Sequence, residues 1–183
     1  LIVNKQPRGI SPGEVDNPGD KQDDIIVTLS SGNQLVRLGN PGSGADWTID
    51  QTVDVGHRPK DIEPLPIGGS IGTVLLVGNE GSNSMSVLAS NAQGSLEVIA
   101  SVDLQAMPLD MTTVDMDGDS DRDLVILVNN QLGNDIRVYR NDTDVLSNVG
   151  IALTLDDVLL DDGLPILISN GDTNNDGVDD LVS

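Results

Sequence analysis

Short apolar runs recur along the chain, and polar segments rich in Gly, Asn, Asp and Ser separate them. The runs consist mainly of Val, Ile and Leu, and no segment keeps a helical period over ten or more residues. Their length and flanking turn residues therefore predict short β-strands. Uninterrupted runs such as 124–128 indicate strands that are buried on both faces. The predicted strands lie at 25–29, 35–38, 47–53, 73–77, 85–89, 96–102, 110–114, 124–128, 136–140, 151–155 and 165–168.

These strands are grouped in a repeat of about fifty residues. Pro59, Pro108 and Pro165 each precede a short apolar strand, at intervals of 49 and 57 residues. Four short antiparallel strands in a unit of this length are typical of one β-propeller blade. We therefore predict an all-β fold, a single partial β-propeller of about 3.5 four-stranded blades. The predicted blades span approximately residues 10–58, 59–107, 108–164 and, in part, 165–183.

Two acidic segments keep a fixed place in the repeat, because each begins seven residues after a proline. Residues 115–123 carry five aspartates at alternate positions, which would repel one another in a compact loop without a counter-cation. Calcium takes about 6–8 oxygen ligands from carboxylates, carbonyls and water. A tight loop that turns alternate side chains inward supplies such oxygens. The candidate ligands here are Asp115, Asp117, Asp119 and Asp123, with the backbone carbonyl of Asp121.

The donor spacing recurs near both ends of the chain. In residues 172–180 the candidate ligands are Asp172, Asn174, Asp176 and Asp180. A degenerate loop near the N-terminus has Pro18 where a donor is needed. It retains three candidate ligands, Asp16, Asp20 and Asp24. The second repeat has no carboxylates at 64–72, so we expect it to turn without metal.

Three alternatives compete with this interpretation. Solvated acidic turns are the simplest, since Asp, Asn and Gly favour turns, but two loops with one spacing and an apolar strand behind each favour a metal. An EF-hand needs a bidentate acid at loop position 12 and flanking helices, and Ile126 and Ser183 occupy that position. A β-sandwich does not explain why the prolines and the acidic loops are in phase.

The two loops resemble the calcium loops of FG-GAP/VCBS-type repeats, the β-propeller family that includes integrin α-subunit heads. Judged by the spacing of the repeats, the resemblance covers most of residues 10–183. Its specific motifs cover only the two complete loops and the degenerate N-terminal loop. It implies calcium in hairpin loops between the first two strands of a blade, with the carbonyl of Val178 as a ligand in the second loop. The chain departs from the family's name motif, since it contains no Phe.

Composition narrows the functional classes. A formal net charge of −21 argues against nucleic acid as a partner. Aspartates outnumber glutamates 26 to 4, a bias towards ligands and turns, although halophilic adaptation also produces an acidic chain. Without cysteine there are neither disulfides nor thiol chemistry, and no run approaches the ~20 apolar residues of a membrane span. The first residue is Leu1 rather than Met, which suggests a processed product or a piece of a longer protein.

Catalysis finds little support, since His57 is the only histidine and lies at a repeat junction. We expect a non-catalytic, calcium-stabilised propeller that is extracellular or on the cell surface and serves adhesion or assembly. One alternative is a carbohydrate-binding or accessory module of a larger secreted enzyme, with Trp47 or Tyr139 stacking on sugars, and another is a propeller lyase or hydrolase. The expected partners are a protein or glycan at the cell surface, and either the rest of a longer chain or further copies of this one.

Overall fold

The structure of the chain is a computed structural model that describes residues 5–13, 23–40, 42, 46–68, 72–142, 153–160, 167–176 and 178–182. Within these ranges the chain forms fourteen β-strands and two short 3-10 turns, at Ser30–Gly32 and Glu80–Ser82. No helix in these ranges is long and apolar enough to cross a membrane.

Consecutive strands form three four-stranded antiparallel sheets and one hairpin. The first sheet contains β1 (Pro7–Gly13), β2 (Asp24–Leu29), β3 (Gln34–Gly39) and β4 (Thr48–Asp54). The second contains β5 (Pro59–Gly68), β6 (Gly72–Asn79), β7 (Ser84–Ser90) and β8 (Leu96–Asp103). The third contains β9 (Met107–Val114), β10 (Asp123–Asn129), β11 (Asn134–Asn141) and β12 (Leu153–Leu160). The hairpin pairs β13 (Ser169–Gly171) with β14 (Asp180–Val182).

This succession of four-stranded meanders is the blade architecture of a β-propeller, so the predicted all-β propeller fold is confirmed. In the described residues, three complete four-stranded blades are followed by a two-stranded hairpin. The sheets span residues 7–54, 59–103 and 107–160. The blades predicted from the sequence lie at about 10–58, 59–107 and 108–164.

Four points of the strand prediction need correction. The strand that follows Pro59 runs to Gly68 and so includes part of 64–72, where the prediction has a turn. The last strand of the third sheet begins at Leu153 and extends to Leu160, beyond the predicted end at 155. The strand before the second acidic loop begins at Ser169, and residues 167 and 168 ahead of it are not in a strand. Strand β1 was not predicted, because its sequence has two prolines and two glycines, which mask the strand pattern. It is a first strand with one partner, β2, and tolerates residues that weaken a central strand.

Most of the core lies between neighbouring sheets, and the second strands β6 and β10 contribute to it from both faces. In β6, Leu76 packs in a cluster with Ile126 of the third sheet. Its neighbour Leu75 packs in a different cluster with Ile26 of the first sheet. Successive side chains on a strand point to opposite faces. An uninterrupted apolar run is therefore typical of a strand that is buried on both faces. The fourth strands, β4, β8 and β12, are largely exposed.

Replacing Ile126 by alanine should lower the free energy of unfolding by about 2–5 kcal/mol, because the change leaves a cavity between the second and third sheets. Urea denaturation followed by circular dichroism measures the loss. Ile99→Ala is the matched control on the outer strand β8, where the side chain is 50% exposed, and it should change the free energy by no more than about 0.5 kcal/mol. Equal losses at the two positions would contradict this assignment of the core.

The first strands β1, β5 and β9 lie beside one another, and carboxylates join successive units there. Asp61 on β5 accepts the backbone N–H of Met111 on β9, at 2.8 Å from Oδ2. Asp110 on β9 accepts the backbone N–H of Ile168 ahead of β13, at 2.7 Å from Oδ2. Each aspartate follows one of the repeating prolines by two residues. The regularly spaced prolines in the sequence therefore also mark the positions of hydrogen bonds between blades.

Two acids on β5, Asp61 and Glu63, have raised pKa values. Burial raises the pKa of Asp61 to about 6, although the N–H of Ile62 opposes the rise, and the charge of Asp110 adds to it. Burial also raises the pKa of Glu63 to about 7, with contributions from the charges of Asp61 and Asp110 and opposition from Arg122. Protonation of these acids therefore begins within the neutral to mildly acidic range.

We expect the free energy of unfolding to rise as the pH falls from about 8 to about 5. The folded-state pKa values of Asp61 and Glu63 lie above their ordinary values. The folded protein therefore binds protons before the unfolded chain does, and each uptake favours folding. Urea titrations at a series of pH values in this range, in the presence of EDTA, measure the effect.

Two variants that each remove one negative charge separate this effect from the overall acidity of the chain. Glu63→Gln should flatten the part of the profile near pH 7, because it removes the group with the higher pKa. Glu97→Gln, on the exposed strand β8, should leave the shape of the profile unchanged. If the free energy of unfolding depended on pH identically in the two variants, Asp61 and Glu63 would not govern the pH dependence.

Candidate metal centre

The two complete acidic loops are hairpin connections between the first and second strands of their units. Residues 115–122 join β9 to β10, and residues 172–179 join β13 to β14. Each connection holds eight residues. In the second sheet, β5 ends at Gly68 and β6 begins at Gly72, so the connection there is shorter and has no carboxylate. The acidic loops thus lie where the resemblance to FG-GAP/VCBS-type repeats implies.

Three of the five aspartates in the first loop converge. Asp115, Asp117 and Asp123 each offer a carboxylate oxygen, and these oxygens lie within 4.8 Å of one another. Asp123 is buried, Asp115 is half-buried and Asp117 is at the surface. In the described part of the chain this is the one group of three His, Cys, Asp or Glu side chains that lies so close. The group could hold a metal ion.

Backbone amides of the loop hold these carboxylates in place. Asp115 accepts the N–H groups of Gly118 and Ser120, at 2.7 and 3.0 Å. Asp123 accepts the N–H of Met116 at 2.8 Å. Gly118 and Ser120 have left-handed backbone conformations, with φ of 80° and 76°, which Gly adopts freely and Ser rarely does. The loop is therefore folded tightly around Asp115.

The second loop repeats this pattern of hydrogen bonds. Asp180 accepts the N–H of Thr173 at 3.0 Å, as the last aspartate of the first loop accepts that of its second residue. Asp176 donates its N–H to Asn174 Oδ1 at 2.9 Å. Asn175 is left-handed, with φ of 64°, at the fourth place of the loop, as in the first loop. Hydrogen bonds from the hydroxyl and the N–H of Thr173 lower the pKa of Asp180.

Some predicted ligands stay outside the converging group. Asp119 accepts the N–H of Asp121 at 2.8 Å, and its carboxylate does not join the other three. The second loop does not bring three of its carboxylates within 4.8 Å of one another in the described residues. The use of the Asp121 and Val178 carbonyls as ligands stays a prediction.

The N-terminal loop is described only at its last candidate ligand. Asp16 and Asp20 lie outside the described residues. Asp24 is buried at the start of β2, and its Oδ1 accepts the N–H of Asn40 at 2.9 Å. The last aspartate of the first complete loop makes the same bond to the N–H of Asn141 at the end of β11. This position of the loop is thus built identically in the two blades.

A guanidinium group supplies the positive charge beside Asp24. Arg37 is 10% exposed, and its Nε lies 3.8 Å from Asp24 Oδ2 and 3.0 Å from Asp50 Oδ1. Its Nη1 donates to the carbonyl of Gly94 in the second sheet at 2.7 Å. A cation of the protein itself therefore lies beside Asp24, the one described candidate ligand of the interrupted series. Sequence analysis missed Arg37, whose partners become neighbours only through strand pairing and blade packing.

In the first complete loop, the pKa of Asp123 is raised above its ordinary value. Burial raises the pKa of Asp123, and the charges of Asp117 and Asp119 raise it further. The N–H groups of Asn141 and Met116 act in the opposite direction. A bound cation would favour the ionised carboxylate. Because every donor in the group is an oxygen, the residues fit a hard cation such as Ca²⁺ or Mg²⁺.

The comparisons with known proteins concern the fold alone. No family model matches the chain, and no curated protein matches its sequence. A solved structure of a functionally unknown protein from Desulfotomaculum acetoxidans is similar, at a TM-score of 0.59 and 19% identity, over 86% of this chain and 43% of that one. A structure of BBS1N in complex with ARL6DN matches at a TM-score of 0.41 and 14% identity, over 94% of this chain and 58% of that one. The chain thus spans less than two thirds of either neighbour.

Asp123→Ala should destabilise the protein by about 1–3 kcal/mol even in EDTA, because it leaves the N–H groups of Met116 and Asn141 without an acceptor. Urea denaturation measures the change. The matched control is Asp119→Ala at an exposed site in the same loop, with an expected change within about 0.5 kcal/mol. Should the two variants lose equal stability, Asp123 would have no special part in holding the loop.

Proposed function

We propose that the chain is a non-catalytic, calcium-stabilised β-propeller that acts in adhesion or assembly outside the cytoplasm. The observation that carries the proposal is the convergence of Asp115, Asp117 and Asp123 in a hairpin loop. The place of this loop in the blade agrees with the resemblance to FG-GAP/VCBS-type repeats. A metal there would fix the connection between two core strands and would have no part in a reaction.

The chemistry of the loop favours calcium. Calcium accepts about 6–8 oxygen ligands in flexible geometry, whereas Mg²⁺ demands a near-ideal octahedron. The three converging carboxylates leave several coordination places, which the predicted ligands Asp119 and the Asp121 carbonyl, together with water, would fill. Such a partly exposed loop suits a weak site, with a Kd of about 10⁻⁴–10⁻³ M as in extracellular modules. A site this weak is filled only where calcium is millimolar, which is why we propose an extracellular or cell-surface location.

The scarcity of histidine in the sequence favours a binding role over catalysis. His57, the only histidine of the sequence, is exposed next to the second sheet. Tyr139 packs in the core between the second and third sheets, where it cannot stack on a sugar. Trp47, the only tryptophan, is 39% exposed. We therefore place protein binding ahead of the carbohydrate-binding alternative, which a glycan array would test.

Calcium at about 10 mM should raise the melting temperature by about 3–10 °C relative to EDTA. A ligand present at about 10- to 100-fold above its Kd stabilises the folded state by ~1.4–2.7 kcal/mol, and for a chain of this size each kcal/mol shifts the midpoint by about 2–4 °C. Calorimetric melting with and without calcium measures the shift, and isothermal titration measures the binding heat.

Two isosteric variants with the same charge change test the site. Asp117→Asn should reduce the calcium-dependent shift, because it replaces a carboxylate of the converging group. Asp46→Asn, an exposed position outside the loops, should retain the full shift. A melting curve that ignores EDTA, together with no calcium heat, would refute the proposed calcium site.

A further inference from the structure

Arg140 places a positive charge directly at the converging carboxylates. It lies near the end of β11, and its Nη1 is 3.1 Å from Asp117 Oδ2. On its other side, its Nε is 2.9 Å from Asp156 Oδ2 on β12. The guanidinium group thus bridges one aspartate of the candidate metal centre and one that lies outside it. Sequence analysis did not single out Arg140, because β11 and the loop are brought together only by the pairing of β10 with β11.

The first sheet offers a natural comparison for this arrangement. There, Gly39 holds the position that corresponds to Arg140, since each directly precedes the asparagine whose N–H binds the last loop aspartate. The positive charge comes instead from Arg37, which is 10% exposed and also bonded to the carbonyl of Gly94. Arg140 is 42% exposed. Asp24, the last candidate ligand of the interrupted loop, therefore has a buried guanidinium beside it, and Asp117 of the complete loop has an exposed one.

We propose that Arg140 is a displaceable counter-ion that competes with the metal for Asp117 and so sets the metal affinity of the loop. The inference rests on the proposed function, because it assumes that the loop binds calcium. Without metal, Arg140 offsets part of the repulsion among the loop carboxylates. When the metal binds, the guanidinium group leaves Asp117 and keeps its ion pair with Asp156.

Electrostatics determines the direction of the effect. A guanidinium group 3.1 Å from Asp117 Oδ2 would lie within a few ångströms of a cation bound to the same carboxylate, and two positive charges at that distance repel. Moving Arg140 costs little, because exposed ion pairs contribute little to stability. Removing the charge should therefore tighten calcium binding. If Arg140 served mainly to orient Asp117 as a ligand, its removal would weaken binding instead.

The test measures calcium affinity by isothermal titration with calcium chloride, using variants of the full chain. All carry Asp176→Asn, which disables the second loop so that the heat reports on residues 115–123. Arg140→Gln removes the charge, and Arg140→Lys retains it. Arg58→Gln is the matched control, since Arg58 forms an exposed ion pair with Glu80 away from the acidic loops and its replacement changes the net charge equally.

We expect Arg140→Gln to bind calcium about three- to tenfold more tightly than the parent protein, while Arg140→Lys and Arg58→Gln stay within about twofold of it. In EDTA, Arg140→Gln should also melt at a lower temperature than Arg58→Gln, because the metal-free carboxylates lose their counter-ion. Equal or weaker calcium binding by Arg140→Gln would overturn the inference while leaving the calcium site intact. No calcium heat in either the parent or Arg140→Gln would overturn the calcium site, and the role of Arg140 with it.

Discussion

The packing of neighbouring sheets through the second strand of each is the constraint on which the rest of the structure depends. Leu75 and Leu76 are adjacent in β6, yet they belong to the clusters on opposite sides of the second sheet. No blade can bury such a strand alone, since each sheet covers only one face of its neighbour. The stability of each unit is therefore tied to that of the next, as in other repeat proteins. The loops extend from the ends of these buried strands, so their positions are fixed by the core.

At the ends of strands, aspartate carboxylates accept backbone N–H groups that strand pairing does not use. Asp123 is buried at the start of β10 and accepts two backbone N–H groups, one from its own loop and one from the end of β11. Asp61 and Asp110 each accept one backbone N–H from the next blade. A short carboxylate with two acceptor oxygens suits this work because unsatisfied N–H groups are costly inside a protein. The excess of aspartate over glutamate thus has a structural reason in addition to metal binding.

The same carboxylates create an excess of negative charge that the chain offsets in different ways. Burial and repulsion raise the pKa of Glu63 and Asp61 on the inner strands. Guanidinium groups stand beside the loop aspartates, buried at Arg37 and exposed at Arg140. A metal ion could be a third means, since Asp115, Asp117 and Asp123 could hold one. Some of the carboxylates that hold the loop together are therefore also those that could bind an ion.

The sequence by itself determined the strands of the core, the blade repeat and the position of the acidic loops, because apolar runs and turn residues act locally. It could not reveal strand β1, whose prolines and glycines hide the pattern, or the late end of β12. It also could not show that Asp119 stays apart from its three neighbours or that Arg140 reaches Asp117. These contacts depend on backbone turns within the loop and on the pairing of β10 with β11, which brings together Arg140 and Asp117, 23 residues apart in the sequence. Only the tertiary structure determines these contacts. The sequence shows which side chains are charged, but it does not show the distance between two charges.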